Sequence, residues 1–358
     1  MRFGINFFPT IGPADRPAAQ YYDECLRLAE IADELGFHHV KTVEHYFFPY
    51  GGYSPDPVTF LTAAAARTSR LRLVTGAAIP AFTHPVKLAA KLAMLDNIAH
   101  GRLDAGFGRA FLPDEFEAFQ IPMDESRDRF TEGVEAIRRL WSEEDVIWEG
   151  RFHRFGPVTL LPRPFQRPHP PVLVAAAFTP ASCARAGRDG HGLLLVPSIS
   201  STDHVQEMLR LYREARAEAG HDPHGEVQMS YIASVAEDGA QAREIGRRNA
   251  EHYSARLADA VSSWGRTRSD AYAGYEKLAD RVKKTDYRRQ LEEHKVLAGD
   301  PDEVADQLAV IRDWYGDVTV SLQMNSGTAT FQEAERALRL FAEHVMPRFA
   351  SAAAPVGG

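Results

Sequence analysis

The strongest constraint on this chain is a rhythm. Short runs of β-branched and aliphatic residues alternate with longer stretches whose apolar residues recur at helical spacing. Eight such runs read as strands: Phe3–Phe8, Val40–Val43, Leu71–Thr75, Leu103–Phe107, Val172–Ala176, Leu193–Val196, Val227–Val235 and Asp317–Gln323. The first intervening helix sets Tyr21, Cys25, Leu28, Ala32 and Leu35 on one face, and Gly36 ends it. Asp56-Pro57 supplies a capping carboxylate and a proline suited to a first helical turn. Asp300-Pro301 with Glu303, and Thr330 with Glu333, read as capping boxes. Eight strands separated by helices predict an α/β chain folded as a (β/α)8 TIM barrel. A dinucleotide fold is a poor alternative, because no Gly-x-Gly-x-x-Gly follows the first strand.

Residues 1–349 read as one barrel domain, and the small, Pro/Gly-containing stretch 350–358 as a flexible tail. Within the domain, 240–295 breaks the alternation with a polar, helix-prone insertion carrying Tyr253, Trp264, Tyr272, Tyr275 and Tyr287. Those aromatics read first as helix packing and second as a lid over a substrate. A hydrophobic content of 44% suffices for a large core. No run approaches the ~20 apolar residues of a membrane span, and no signal peptide opens the chain. A cytoplasmic protein with no membrane contact is expected. The net charge of −8, with arginines interspersed among acids, argues against nucleic acid as a partner. Cys25 and Cys183 are too few for a disulfide framework or a metal site. His84, His191 and His294 lie beside helix ends and read as caps rather than ligands, so no metal is expected.

Barrel chemistry gathers where strands end at the carboxyl face. The second strand runs into Glu44-His45-Tyr46-Phe47-Phe48. His45 is the candidate catalytic residue, since imidazole exchanges protons near neutral pH; the bland alternative is a ring that caps a carbonyl. Glu44 either orients His45 or pairs with an arginine such as Arg109. The third strand ends in Gly76-Ala77-Ala78, small residues that let a flat ring pack on backbone or simply let the barrel close tightly. The fourth ends in Gly106-Phe107-Gly108-Arg109, where a guanidinium suits a phosphate or a surface ion pair. Thr179-Pro180-Ala181-Ser182 starts a helix after the fifth strand and offers either an anion site or plain capping.

Together these segments resemble the bacterial luciferase-like flavin monooxygenases. The resemblance is carried by Glu44-His45-Tyr46-Phe47, by Gly76-Ala77-Ala78 with Thr83-His84-Pro85, and by Gly101-Arg102-Leu103 through Arg109. Thr179-Pro180-Ala181-Ser182 and Leu297–Val304 add to it, and the likeness covers roughly residues 1–235 and 295–349. It implies that His45 is the catalytic histidine, with Tyr46 standing where the luciferases have a second histidine. It implies a non-prolyl cis peptide beneath a flavin at Gly76-Ala77-Ala78, making Ala77 and Ala78 cofactor contacts. Gly108 replaces a luciferase cysteine, which leaves room beside the reactive flavin carbon. Arg109 would bind the flavin phosphate. Luciferase has a glutamate and a serine where Ala177 and Phe178 stand, so phosphate contacts fall to Thr179, Ser182 and backbone amides.

The implied function is an FMN-dependent monooxygenase. Reduced FMN from a separate flavin reductase would react with oxygen, and the resulting flavin peroxide would oxygenate an organic small molecule. The rivals are an F420-dependent oxidoreductase on the same fold and a non-catalytic flavin-binding barrel. Small-residue helices at Thr62–Ala66 and Leu88–Ala93, on the side through which the resembled proteins pair, imply a homodimer.

Overall fold

The structure is a computed structural model describing residues 1–176, 179–283 and 286–350. Ala177, Phe178 and the expected tail beyond Ala350 lie outside the described residues. Among the described residues there are eleven strands: β1 (Arg2–Phe7), β2 (His39–Thr42), β3 (Arg72–Thr75), β4 (Leu103–Phe107), β5 (Val146–Glu149), β6 (Arg154–Val158), β7 (Val172–Ala175), β8 (Gly192–Leu195), β9 (Val227–Val235), β10 (Val296–Gly299) and β11 (Thr319–Gln323). The parallel order β1-β2-β3-β4-β7-β8-β9-β11 closes on itself, because β11 pairs with β1 and β8 with β9. These eight are the strands expected from sequence, and their closure with surrounding helices makes a (β/α)8 barrel.

Three elements depart from the sequence reading. Strands β5 and β6 form a separate antiparallel hairpin between the fourth and fifth barrel strands. Strand β10 pairs with the second half of β9, Ile232 to Val235, beyond the stretch that β8 occupies. A short helix, Pro113–Ala118, follows the fourth barrel strand.

Burial explains why the ring strands read so clearly. All nine residues of β9 except Ile232 are buried. Met229, Tyr231, Ala233 and Val235 belong to the main hydrophobic core. Gln228 and Ser230 alternate with them, as a period of two requires. Helix Pro57–Ala65 is capped by Asp56, whose side chain accepts from the amides of Val58 and Thr59. Both expected capping boxes form, at Asp300/Glu303 and Thr330/Glu333. His84 caps helix Pro85–Ile98 by accepting from Val86 N.

Two devices fix the strand ends. Arg102 donates to the carbonyls of Ala65, Thr68, Leu71 and Ala99, tying helix ends to the start of β4. At the other end, Thr75 Oγ1 donates to Gly106 O and accepts from Gly106 N, both at 2.8 Å. A Cβ on Gly106 would sit 1.9 Å from Thr75 O, so only glycine lets the strands approach this closely.

The insertion is helical, as expected: Gly239–Ala260, three single 3-10 turns, Leu278–Lys283 and Tyr287–Glu292. It docks on the loop after β4. Trp264 Nε1 donates to Phe111 O at 3.0 Å, Ser263 Oγ to Asp114 Oδ2 at 2.5 Å, and Tyr272 OH to Ala110 O. Among the described residues, no helix is long and apolar enough to cross a membrane.

Candidate active site

The carboxyl ends of the strands enclose a cavity of about 220 Å³. His45, Ala77, Gly108 and Arg109 all line it, with Phe8 and Phe111 among its apolar walls. A second cavity of about 400 Å³ adjoins it and is lined by Arg109, Thr179, Ser182 and Arg185. The two share Arg109, Ala175, Ala176 and Tyr275. Of the seven site residues expected from sequence, six therefore face this pair of cavities.

Ala78 is the exception. It is fully buried in the hydrophobic core, its amide bonds to Gly106 O, and its carbonyl accepts from Gly108 N at 2.9 Å. Gly76 and Ala77 line the wall instead, and the non-prolyl cis peptide joins them.

His45 is 8% exposed and ringed by Phe8, Tyr50 and Phe111, with ring centroids 5.3–5.8 Å away. Its Nδ1 lies 3.1 Å from Glu115 Oε1, which also accepts from Tyr46 N at 2.9 Å. A carboxylate at Nδ1 fixes the ring and leaves Nε2 for proton exchange. Gly51 has φ 81°, and a Cβ there would meet His45 Cβ at 2.5 Å. Glycine thus lets the loop fold over the imidazole.

Glu44 takes neither of its expected partners. It accepts from Tyr46 OH at 2.8 Å and from Ile79 N at 3.0 Å, tying the end of β2 to the loop after β3. Burial pushes its carboxyl up to about 7, against the opposing pull of these two donors. Burial, then the adjacent Glu44, raises the Tyr46 hydroxyl far above its usual value.

The true orienting carboxylate, Glu115, is 1% exposed and sits in the first turn of helix Pro113–Ala118. Sequence offered one signal, a glutamate in a short helix just after the Arg109 motif, but nothing tied it to His45.

Arg109 Nη2 donates to Ala271 O at 3.1 Å, and its guanidinium lies 4.2 Å from the Tyr272 ring centroid. Its Nη1 is buried and has no hydrogen-bond partner among the described residues. An orphaned cationic donor between two cavities calls for an anion. Thr179 leads helix Pro180–Arg188, and among the described residues its side chain makes no capping bond. Ser182 N is already committed to Thr179 O at 2.9 Å, so the serine can contribute only its hydroxyl. The set suits a flat ring in one cavity and a phosphate in the other. A phosphate-bearing flavin cofactor fits both parts.

A barrel built to hold a flat, phosphate-bearing cofactor beside a carboxylate-oriented histidine is the class that fold and site define. The chain belongs to the luciferase-like monooxygenase family, whose profile matches residues 1–317. It is a luciferase-like flavin-dependent monooxygenase. The monooxygenase RslO1 from Streptomyces bottropensis is 60% identical and superposes with a TM-score of 0.88 over 98% of this chain and 100% of that one. The oxygenase component of a flavin-dependent trigonelline monooxygenase from Acinetobacter baylyi is 31% identical over 66% of this chain and 67% of its own length. The oxygenating constituent of 3,6-diketocamphane monooxygenase from Pseudomonas putida, solved with FMN, shares the fold with a TM-score of 0.81 at 22% identity, covering 98% of this chain and 99% of its own. The matches to curated relatives span about two thirds of those proteins' length.

Proposed function

We propose that this chain is the oxygenase component of a two-component system that takes up reduced FMN from a separate flavin reductase and oxygenates an organic small molecule. The observation that carries the reading is Arg109, whose buried Nη1 has no hydrogen-bond partner among the described residues and which lines both the ring cavity and the anion cavity. Bound reduced flavin would supply the electrons that activate oxygen. The chain's residues do the rest. Arg109 and the hydroxyls of Thr179 and Ser182 hold the phosphate, while Ala77 and Gly108 leave a flat wall for the ring. Phe8, Phe111 and Leu257 keep water out. His45, held at Nδ1 by Glu115, is left with Nε2 to exchange a proton with the substrate. We place the substrate in an adjoining cavity of about 160 Å³ that shares Ser230, Tyr253, Leu257 and Leu278 with the ring cavity.

Oxygen consumption with chemically reduced FMN, measured against a panel of aldehydes, ketones and polycyclic aromatics, tests the reading. Substrate-dependent product formation with oxygen incorporated is expected. Turnover with reduced F420 under anaerobic conditions, and none with reduced FMN and oxygen, would favour the deazaflavin rival instead. Flavin binding without any turnover would favour the non-catalytic barrel.

A homodimer is part of the proposal. Leu61, Ala64, Leu88 and Leu92 of the two small-residue helices are buried within the chain, so much of that composition serves internal packing. Met94 and Ile98 nevertheless stay 48% and 40% exposed on the same side, an apolar pair that a symmetric partner would cover.

A further inference from the structure

Lysine inside a barrel is a costly choice unless its charge is used. Lys41 is 2% exposed on β2, and its Nζ donates to Ser230 Oγ of β9 at 2.8 Å. Ser230 lines both the ring cavity and the cavity beside it. On the other side, Lys41 packs beneath Gly76: a Cβ on that glycine would meet the lysine Cγ and Cδ at 2.4 Å. Gly76 itself lines the ring cavity and forms the cis peptide with Ala77. The ammonium is thus one hydrogen bond below the cavity wall, between two wall residues.

The surroundings leave that charge uncompensated. Among the described residues, Lys41 is in no ion pair and has Ser230 as its side-chain hydrogen-bond partner. Neither Gly76 on β3 nor Ser230 on β9 titrates. The titratable group coupled to it is His39 of its own strand, which burial holds well below its usual pKa and whose Nε2 lies 2.7 Å from Ser321 Oγ on β11. Burial alone pulls Lys41 down to about 7. A protein retains such a group where a negative charge arrives to meet it.

We propose that Lys41 is a positioning residue that supplies the counter-charge for the reduced, anionic form of the flavin ring, acting from beneath the floor through Ser230 and Gly76. The inference rests on the flavin reading above. Charge near the ring is one of the main ways in which a protein tunes flavin electronics. The ring gains negative charge only on reduction, so Lys41 favours reduced over oxidised FMN. That preference suits an enzyme that must capture reduced flavin from solution.

The test is the affinity of the whole protein for oxidised and for anaerobically reduced FMN, with the midpoint potential of the bound flavin, in Lys41→Met, Ser230→Ala and the parent chain. Lys41→Met should lose about tenfold or more of the preference for reduced FMN, which for this two-electron couple lowers the potential by about 30 mV per tenfold. Ser230→Ala, which keeps the ammonium but frees it, should shift the potential the same way by less. Between pH 6 and 9 the parent's potential should show a break that Lys41→Met lacks. An unchanged potential in a folded Lys41→Met protein, or equal losses for both redox states, overturns the proposal and leaves the flavin reading standing. Failure of the parent to bind FMN in either state would instead remove the flavin reading itself.

Discussion

Arg109 offers the sharpest test, because two ligands differing only in a phosphate separate its roles. Its guanidinium does two things within the chain: it bonds Ala271 O at 3.1 Å and covers the Tyr272 ring at 4.2 Å. Both hold the insertion over the site, and both are lost in Arg109→Ala whichever ligand is bound. The buried Nη1 is different, since it waits for an acceptor. A hydrogen bond between charged groups contributes about 1.5–3 kcal/mol, which is roughly a 10- to 150-fold change in Kd. Titrating the protein by flavin fluorescence quenching, Arg109→Ala should weaken FMN by that factor beyond whatever it does to riboflavin. The excess should shrink as salt rises, because the site opens to solvent and screening follows. Arg109→Lys should recover part of the FMN loss through its charge but not the forked geometry. Equal losses for FMN and riboflavin would confine Arg109 to anchoring the insertion and would empty the phosphate site of its main residue.

His45→Ala should keep FMN affinity nearly intact while turnover falls ~10²–10⁴-fold, the usual contribution of a positioned acid or base; joint loss of flavin binding and activity would make His45 a cofactor contact. Glu115→Gln, which removes the charge at His45 Nδ1, should lower turnover about 10- to 150-fold, and parental rates would show that the carboxylate only secures Tyr46 N. For Glu44, raised from 4.5 to about 7, the folded chain holds a proton that the unfolded chain releases between those values. Stability from this group is therefore lost as pH rises from about 4.5 to 7, on the order of 3 kcal/mol. Urea denaturation at pH 5 and pH 7 should show that slope in the parent and lose it in Glu44→Gln; Lys41 contributes with the opposite sign, but only above about 7. Sedimentation should show a species of twice 39.8 kDa, shifted towards one chain's mass by Met94→Glu, whereas a parent that sediments at 39.8 kDa alone would refute the dimer.

What sequence determined by itself is local or periodic. The eight ring strands are legible because the barrel buries them on both faces: β9 carries no charged residue, and Val227, Met229, Tyr231, Ala233 and Val235 alternate with residues such as Gln228, Ser230 and Ser234 between polar helices. The caps at Asp56, Asp300 and Thr330 are legible because a cap is chemistry within four residues. His45, Ala77, Gly108 and Arg109 could be placed at strand ends, and a barrel brings strand ends together whatever the intervening helices contain. Tertiary structure decided the pairings. Glu115 reaches His45 across 70 positions, a meeting that no spacing rule encodes. Glu44 neighbours His45 in sequence but turns to Tyr46 and Ile79, because the backbone after β2 aims successive side chains apart. Ala78 follows Ala77 but is buried in the core, its amide and carbonyl bonded to Gly106 and Gly108 of the neighbouring strand end. The β5–β6 hairpin is not legible because most of its residues are half-buried or exposed, so no buried apolar run marks it. Lys41 lies inside the second strand, and nothing local in the sequence marks it. Only closure of the ring buries it and brings to it a serine 189 positions away in the wall of the site.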